Sequence, residues 1–381
     1  MTGRNRLTVL HVVANRWWTG SAEPVLRLVL GLRARGHRAL LGLGPGDRFE
    51  AKAREAGVDP VEGLRLDVKS GPAAIVGDAG KLKSLVAREG VDVVHAHHGH
   101  DHWLGWWGHG RAALVRTFHN EGAVRTAWPD SSLYRRTDAL IAVSRRIEER
   151  LRTAGVPRER VYRADGVVDA SRFATDAAGA SKIREEFGVG QAPLVGCVAR
   201  LAAGRGHEAL IEGFRLLSAG RSDARLLLVG KGERRDALEL LVRRLGLESR
   251  VLFAGYRDSD LPGVLGALDV FVLMGAGSDE SCRAALEAMA AGRPVVAARV
   301  GALPDAVVHG ETGLLLDEPS AGALAASLAR LLANPAEARA MGQAGRRRAL
   351  DRFTSERHAA DMEALYLEAL ETMRGRLRAA P

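Results

Sequence analysis

At 381 residues, 46% of them hydrophobic, the chain is longer than one ordinary hydrophobic core supports, and two domains are expected. No run approaches the roughly 18 apolar residues that span a bilayer, and two cysteines, Cys197 and Cys282, give neither a disulfide framework nor a zinc site, which fits a reducing cytosol. The net charge of +9 is lopsided, with 27 Lys and Arg against 19 Asp and Glu in residues 1–170 and 28 against 27 in residues 171–381, so the first half is expected to meet something anionic; no helix-turn-helix, zinc-finger or aromatic RNA-binding pattern accompanies it, so nucleic acid is not the expected partner.

In chain order, LTVLHVV (7–13) follows Arg4 and Arg6 but holds His11, lacks a small-residue cleavage site and runs into Asn15, Arg16 and paired tryptophans. It reads as a buried first strand rather than a signal peptide. RALLGLG (38–44), VDVVHAH (91–97), ALVRTFH (113–119) and DALIAVS (138–144) read as further strands. The helical stretch PVLRLVLGLRARG (24–36) lies between the first two. ATDAAGAS (174–181) is small and polar and reads as a linker. A second series follows in PLVGCVA (193–199), the helical EALIEGFRLLSAG (208–220), ARLLLVG (224–230), RVLFAG (250–255), DVFVLM (269–274) and RPVVAA (293–298). The pattern predicts two facing doubly wound parallel α/β sheets: a first domain over 1–173 and a second over 182–354. A last helix over 355–381 has no strand after it and crosses back onto the first domain. Ligands of such sheets bind at the carboxyl ends of strands, so a cleft between the domains is the expected site.

Asp279 and Glu287 stand eight residues apart in the segment 277–297, which reads as loop, small apolar helix, Gly stop at Gly292 and Pro294. Backbone N–H groups from Ser281 to Arg283 at that helix start are expected to attract an anion such as a diphosphate, while the carboxylates accept hydrogen bonds from hydroxyls beside it. A sugar nucleotide has both parts. Arg27, Arg33, Arg35 and Arg38, and then Arg135, Arg136, Arg145, Arg146, Arg150 and Arg152, form basic clusters that read either as solvated helix faces or as a membrane-surface or phosphorylated-acceptor patch. Five histidines in 95–102 suggest metal ligands, but strand alternation sends neighbouring rings to opposite faces, so no metal is expected. Asp258-Ser259-Asp260 reads as a helix cap, and Gly230-Lys231-Gly232 lacks the third glycine of a dinucleotide fingerprint.

An ordered set of motifs carries a resemblance across nearly the whole chain: TGSAE (19–23), DVVHAHH (92–98), TFH (117–119), AVS (142–144), DGVVDASRF (165–173), VARLAAGRGHEALIEGF (198–214), VGKGERRDAL (229–238), FAGYRD (253–258), the carboxylate segment and GALPDAVVHGETGLLL (301–316). The chain resembles a glycosyltransferase of family 4 with the GT-B fold. The resemblance implies a retaining, metal-independent transferase with no cofactor beyond its nucleotide-sugar donor. Arg200 and Arg205 fall at the family's two basic positions, with Arg205 where a Lys is usual, and would meet the charge that develops on the departing diphosphate. Glu287 resembles the Glu that grips the ribose hydroxyls. Asp279 replaces the family's first Glu, which contacts the donor sugar. Glu280, Ser281 and Cys282 replace a Gly-Phe-Gly, which leaves Glu280 as an alternative carboxylate beside Arg283 and the helix start.

His119 resembles the active-site histidine whose ring or carbonyl orients a sugar hydroxyl. Gly20 and Gly232 read either as points of close backbone approach to the phosphates or as plain strand-to-helix turns. Tyr256 and Arg257 sit where the family contacts the base. The implied donor is a UDP-sugar, with GDP-mannose second, and the implied acceptor is a saccharide, lipid-linked or phosphorylated. Polysaccharide or lipopolysaccharide assembly at the cytoplasmic face of the membrane is the implied setting. Two alternatives stay open: a soluble small-molecule acceptor, and a sugar-nucleotide-binding protein of this fold without turnover.

Overall fold

The computed structural model describes residues 6–14, 18, 20–44, 46, 48–66, 72–174, 177–277 and 279–379. The chain divides into two compact units, Met1–Asp165 with Ser355–Pro381, and Gly166–Thr354.

The first unit runs β1 (Thr8–Val13), α1 (Ala22–Ala34), β2 (Arg38–Leu43), α2 (Arg48–Glu55), α3 (Pro72–Glu89), β3 (Val93–Ala96), α4 (Gly99–Gly108), β4 (Ala113–Phe118), α5 (Asp130–Tyr134), β5 (Ala139–Ala142), α6 (Arg145–Thr153) and β6 (Val161–Arg163). Its six strands pair in parallel in the order β2-β1-β3-β4-β5-β6. Strands covered on both faces are largely apolar, and β1 shows how: around the buried His11, Val9 and Val13 enter one core, Leu10 and Val12 the other.

The second unit runs α7 (Ala177–Glu186), β7 (Leu194–Val198), α8 (His207–Gly220), β8 (Arg225–Val229), α9 (Arg235–Arg244), β9 (Val251–Gly255), α10 (Leu261–Ala267), β10 (Val270–Leu273), α11 (Arg283–Ala290), β11 (Val295–Ala298), α12 (Leu303–Ala306), β12 (Gly313–Leu316), α13 (Ala321–Ala333) and α14 (Pro335–Arg352). Its parallel sheet has the order β12-β11-β10-β7-β8-β9, so strand order reverses between β7 and β10, the place where such sheets bind ligands at their carboxyl ends.

The final helix, α15 (Ser355–Ala379), returns to the first unit and packs on α1. A Cβ on Gly31 would stand 2.8 Å from the Cβ of Ala359, so glycine is what lets the two helices meet. Arg35 Nε donates to Glu363 Oε2 at 2.6 Å across the same contact.

Two readings change. The expected linker 174–181 is helical from Ala177 onward, its residues 175–176 lying outside the described ones. Its small residues serve packing instead: a Cβ on Gly263 of α10 would stand 2.9 Å from the backbone of Gly179 in α7. Residues 166–173, assigned by sequence to the first domain, group with the second unit. Val168 N–H donates to the Phe353 carbonyl at 2.8 Å, and Gly166 sits where a Cβ would lie 3.0 Å from the Ser281 carbonyl oxygen. Two strands, β6 and β12, are additions to the sequence reading.

Candidate functional site

In the second unit the loops that leave β7 and β10 meet at the strand-order reversal. The loop after β7 carries Arg200 and Arg205. It is pinned from the side by the loop after β8, where Leu201 N–H donates to the Lys231 carbonyl at 3.1 Å and Arg234 N–H to the Leu201 carbonyl at 2.9 Å. A Cβ on Gly232 would overlap the Leu201 carbonyl oxygen, and one on Gly230, at φ +146°, would overlap that of Ala199. Contact between the two loops therefore explains Gly232 without any ligand.

Arg200 is two-thirds exposed and pairs with Glu233 at 3.0 Å, a residue that sequence reasoning passed over. Arg205 is half-buried, with no ion-pair partner among the described residues. Burial, followed by the neighbouring positive charge of Arg200, lowers its pKa. Two guanidiniums held close enough to repel, one of them without a carboxylate, form a site that gains from an anion.

The loop after β10 supplies the other wall. Asp279 is buried; its Oδ1 accepts from Ser281 N–H at 2.9 Å, and its carbonyl accepts from Cys282 N–H at 3.4 Å. Desolvation raises the Asp279 pKa. The expectation that N–H groups from Ser281 onward face an anion is thus corrected for Ser281 and Cys282, whose donors the Asp279 turn consumes. The start of α11 itself begins at Arg283, where the helix dipole places positive potential, and Ala285 N–H in its first turn already donates to the Cys282 carbonyl at 2.9 Å.

Cys282 caps α11 in the left-handed conformation, φ +53° and ψ +43°, which explains why a glycine suits this position. Its sulfur is buried 3.3 Å from the Glu280 carbonyl and burial pushes its thiol up to about 12, so it offers a ligand no side chain. Glu280 is buried as well, and its carbonyl accepts from Ala302 N–H at 2.8 Å, tying this loop to the one after β11.

Glu287 lies on the second turn of α11, 4% exposed, and pairs with Arg283 Nε at 3.1 Å. A solvated surface carboxylate is excluded. Tyr256, 45% exposed after β9, has the Lys231 ammonium 5.4 Å from its ring centroid. Arg257 beside it is committed elsewhere, to Glu186 and, at 2.8 Å, to Asp260. That holds the 258–260 turn at the start of α10.

In the first unit, Gly20 sits in the turn before α1, and Thr19 of the same motif lies outside the described residues. His119 follows β4 and is buried. Its Nε2 lies 3.4 Å from His97 Nδ1, and His97 Nε2 lies 3.2 Å from His11 Nδ1. Desolvation, then the charges of His98 and Arg116, lower His119 to about 3, so its imidazole is neutral at pH 7.

His95 and His97 share one sheet face, being two residues apart, and His11 from β1 joins them; the three offer ligand atoms within 4.8 Å of one another. The alternation argument against a metal separates His97 from His98 but not from His95. His95 has both nitrogens engaged, Nδ1 with Tyr366 Oη and Nε2 with Thr117 Oγ1, each at 2.8 Å, so hydrogen bonding already accounts for it. Asp101 in the same run is a capping residue, its Oδ2 accepting from His98 N–H at 3.0 Å and its Oδ1 from Ala14 N–H at 2.9 Å.

Residues 180–348 match the family model "Glycosyl transferases group 1", and residues 18–172 match "Glycosyltransferase Family 4". A Mycolicibacterium smegmatis protein named GDP-mannose-dependent alpha-(1-6)-phosphatidylinositol monomannoside mannosyltransferase is 33% identical over 280 residues, covering 71% of this chain and 69% of that one. A Corynebacterium glutamicum protein named D-inositol 3-phosphate glycosyltransferase is 29% identical over 349 residues, covering 82% and 80%. Anabaena HepE, solved with UDP-glucose, superposes with a TM-score of 0.81 at 23% identity, covering 96% and 100%. That likeness establishes the fold, two six-stranded parallel α/β units of GT-B type.

Proposed function

The chain belongs to the group 1, family 4 glycosyltransferases, and on that premise we propose that it transfers a hexose from a nucleotide-sugar donor with retention of anomeric configuration and without a metal. The observation that carries the site assignment is Arg205: a half-buried cation without an ion-pair partner among the described residues, beside a second arginine and the loop leading to the start of α11. Diphosphate supplies the anion this arrangement lacks. As the C1–O bond to the diphosphate breaks and the bond to the acceptor oxygen forms, Arg200, Arg205 and the first turn of α11 take up the charge on the leaving oxygen. The acceptor proton passes to that phosphate.

Glu287 is assigned the ribose hydroxyls, Tyr256 the base and neutral His119 a donor-sugar hydroxyl. Asp279, consumed in its own turn, acts chiefly by shaping the loop. The curated relatives move the donor preference from a UDP-sugar to GDP-mannose, because the Mycolicibacterium protein, above 30% identity over most of its length, is named for that donor. The excess basic charge of residues 1–170 and the same relative's name support an acceptor carrying phosphate on a lipid. A soluble phosphorylated acceptor is the second reading, supported by the name of the Corynebacterium protein.

The deciding experiment is thermal stabilisation by UDP, GDP and their sugars, with and without EDTA. A GDP-selective shift that survives EDTA and disappears in Arg205→Ala supports this reading. No shift with any nucleotide refutes it.

A further inference from the structure

Of the six tryptophans, four fall between residues 103 and 128, and two of these cover no core. Trp128 is 81% exposed in the segment that leads into α5, and Trp107 is 51% exposed on α4. Tryptophan is usually buried in large part, so two that spend their rings on water call for a partner.

The two belong to adjoining segments. Trp103, one turn before Trp107 on the same stripe of α4, has its ring centroid 5.8 Å from that of Trp107. Its Nε1 donates to Asp130 Oδ1 at 3.0 Å, two residues from Trp128. Asp130 Oδ2 in turn lies 3.9 Å from Arg125, whose side chain is 78% exposed. On the other flank, Arg146 and Arg150 of α6, 60% and 44% exposed, reach Glu121 at 3.3 and 3.4 Å, and Arg150 Nε donates to the Val124 carbonyl at 3.0 Å. The loop 120–129 thus carries one exposed indole, Trp128, near that of Trp107 on α4 and bordered by arginines, and it begins at the residue after His119.

We propose that the indoles of Trp107 and Trp128, bordered by Arg125, Arg146 and Arg150, form a membrane-docking surface that seats in the headgroup region of an anionic bilayer. Indole rings settle at that depth because one side is apolar and the N–H is polar. The three arginines outnumber the two carboxylates they reach, Asp130 and Glu121, and this net positive border supplies the charge complementarity to anionic lipid, an attraction that falls off within a Debye length. This inference rests on the lipid-linked acceptor reading, and it names the surface that would bring such an acceptor up to the loop following His119.

The test is co-sedimentation of the full chain with sucrose-loaded vesicles of phosphatidylcholine containing about 30% phosphatidylglycerol, against pure phosphatidylcholine, with indole fluorescence and quenching by brominated lipid read in parallel. Expected is selective binding to the anionic vesicles, a blue shift with quenching, and a tenfold or greater fall in partitioning for Trp107→Ser/Trp128→Ser. Arg125→Gln/Arg146→Gln/Arg150→Gln should retain the blue shift on what binds but lose the anionic preference. None of the five side chains is buried, and circular dichroism and melting temperature check that both variants keep the fold. Absence of vesicle binding by the native chain, or binding indifferent to the tryptophan pair, overturns the proposal. So does a dimer in solution that the tryptophan substitutions dissociate, since a second copy is then the occupant. Nucleotide-induced thermal shifts on the same samples separate the two failures: a chain that answers nucleotide but not vesicles keeps its transferase reading and loses this surface.

Discussion

The guanidinium of Arg205 fills the space that a side chain on Gly277 would need: a Cβ there would overlap Nη1. Gly277 also has φ +86°, so glycine is required twice over, by backbone and by the arginine it admits. Gly277→Ala is expected to fold with a loss of about 1–2 kcal/mol from the left-handed backbone, because the atom displaced is the mobile end of a side chain. The moved guanidinium should cost at least tenfold in nucleoside diphosphate affinity, as Arg205→Ala does. Gly275→Ala is the contrast, since its Cβ would stand 2.9 Å from the Arg205 Cα and 2.8 Å from the Gly204 carbonyl oxygen. Backbone must then shift, and melting temperature should fall further than in Gly277→Ala. Titration calorimetry with UDP and GDP on the three variants decides it, and unchanged affinity in Gly277→Ala removes Arg205 from the site.

Much of this site was legible because phosphate chemistry writes itself in residue types. Residue type and position alone pick out Arg200 and Arg205 after a strand and Glu287 in a helix opened by a small-residue loop as candidates, and the structure puts the two arginines on one loop and buries Glu287. Two kinds of information were not legible. One is commitment: nothing local to Arg257 says that Glu186, 71 residues away, will engage it, and nothing local to Gly232 says that the Leu201 carbonyl lies against it. The other is assembly across strands. His11 lies within β1, His97 just after β3 and His119 just after β4, and they become neighbours only when those strands pair in register. The 177–181 segment failed for a related reason, since small residues permit close helix packing as readily as they permit flexibility.

Acid should unfold the first unit ahead of the second. Burial holds His11 and His119 near 3 and His358 near 4, whereas an unfolded histidine titrates near 6.5. The folded values are depressed, so between about pH 4 and 6.5 the unfolded chain binds more protons. The stabilisation is complete above 6.5 and is lost as pH falls through that window. Three such groups give a slope of roughly 4 kcal/mol per pH unit near pH 5, enough to exhaust an ordinary domain's 5–15 kcal/mol within a few units. Hydrogen exchange resolved by peptide at pH 7, 5.5 and 4.5 should show residues 8–163 opening while 194–316 stay protected. Simultaneous opening of both units would contradict it.

At Cys282 the usual ranking of Ala over Gly should invert. The residue is held at φ +53°, where every L side chain is strained and glycine is not. Cys282→Ala keeps the strain and loses the sulfur contacts, whereas Cys282→Gly loses the contacts and relieves the strain. The glycine variant is expected to be the more stable of the two by about 1 kcal/mol, read from urea midpoints at equal m-values. In the native chain both thiols are buried and pushed up to about 12, so neither should react with a disulfide reagent at pH 8 until the fold opens.

Removing the carboxylate that competes for Arg200 should strengthen the anion site. Glu233 pairs with Arg200 at 3.0 Å, but both side chains are more than half exposed, so Glu233→Gln is expected to leave the melting temperature unchanged. With that negative charge gone, diphosphate affinity should rise two- to fivefold at low salt, and the gain should shrink at 0.5 M salt, about where screening removes such interactions. A loss of affinity instead would mean that Glu233 positions Arg200 for its ligand.

Glu287 can serve the ribose, the Arg283 side chain, or both, and a ligand cycle separates these. The carboxylate is buried and the Arg283 side chain 27% exposed, so Glu287→Gln should cost about 1–2 kcal/mol of stability whatever the ligand role, because the partner keeps contact with water. Donor affinity is the discriminating quantity. If the carboxylate accepts the ribose hydroxyls, Glu287→Gln weakens the natural nucleotide tenfold or more, since hydrogen bonds to a charged acceptor are worth about 1.5–3 kcal/mol. The 2′,3′-dideoxynucleotide should bind both forms alike, having no hydroxyls to lose. Arg283→Met gives the complementary reading: equal weakening of both nucleotides assigns the arginine to the phosphates and leaves Glu287 the ribose. If Glu287→Gln weakens the dideoxy compound as much as the natural one, the carboxylate acts only by holding Arg283, and the ribose assignment falls.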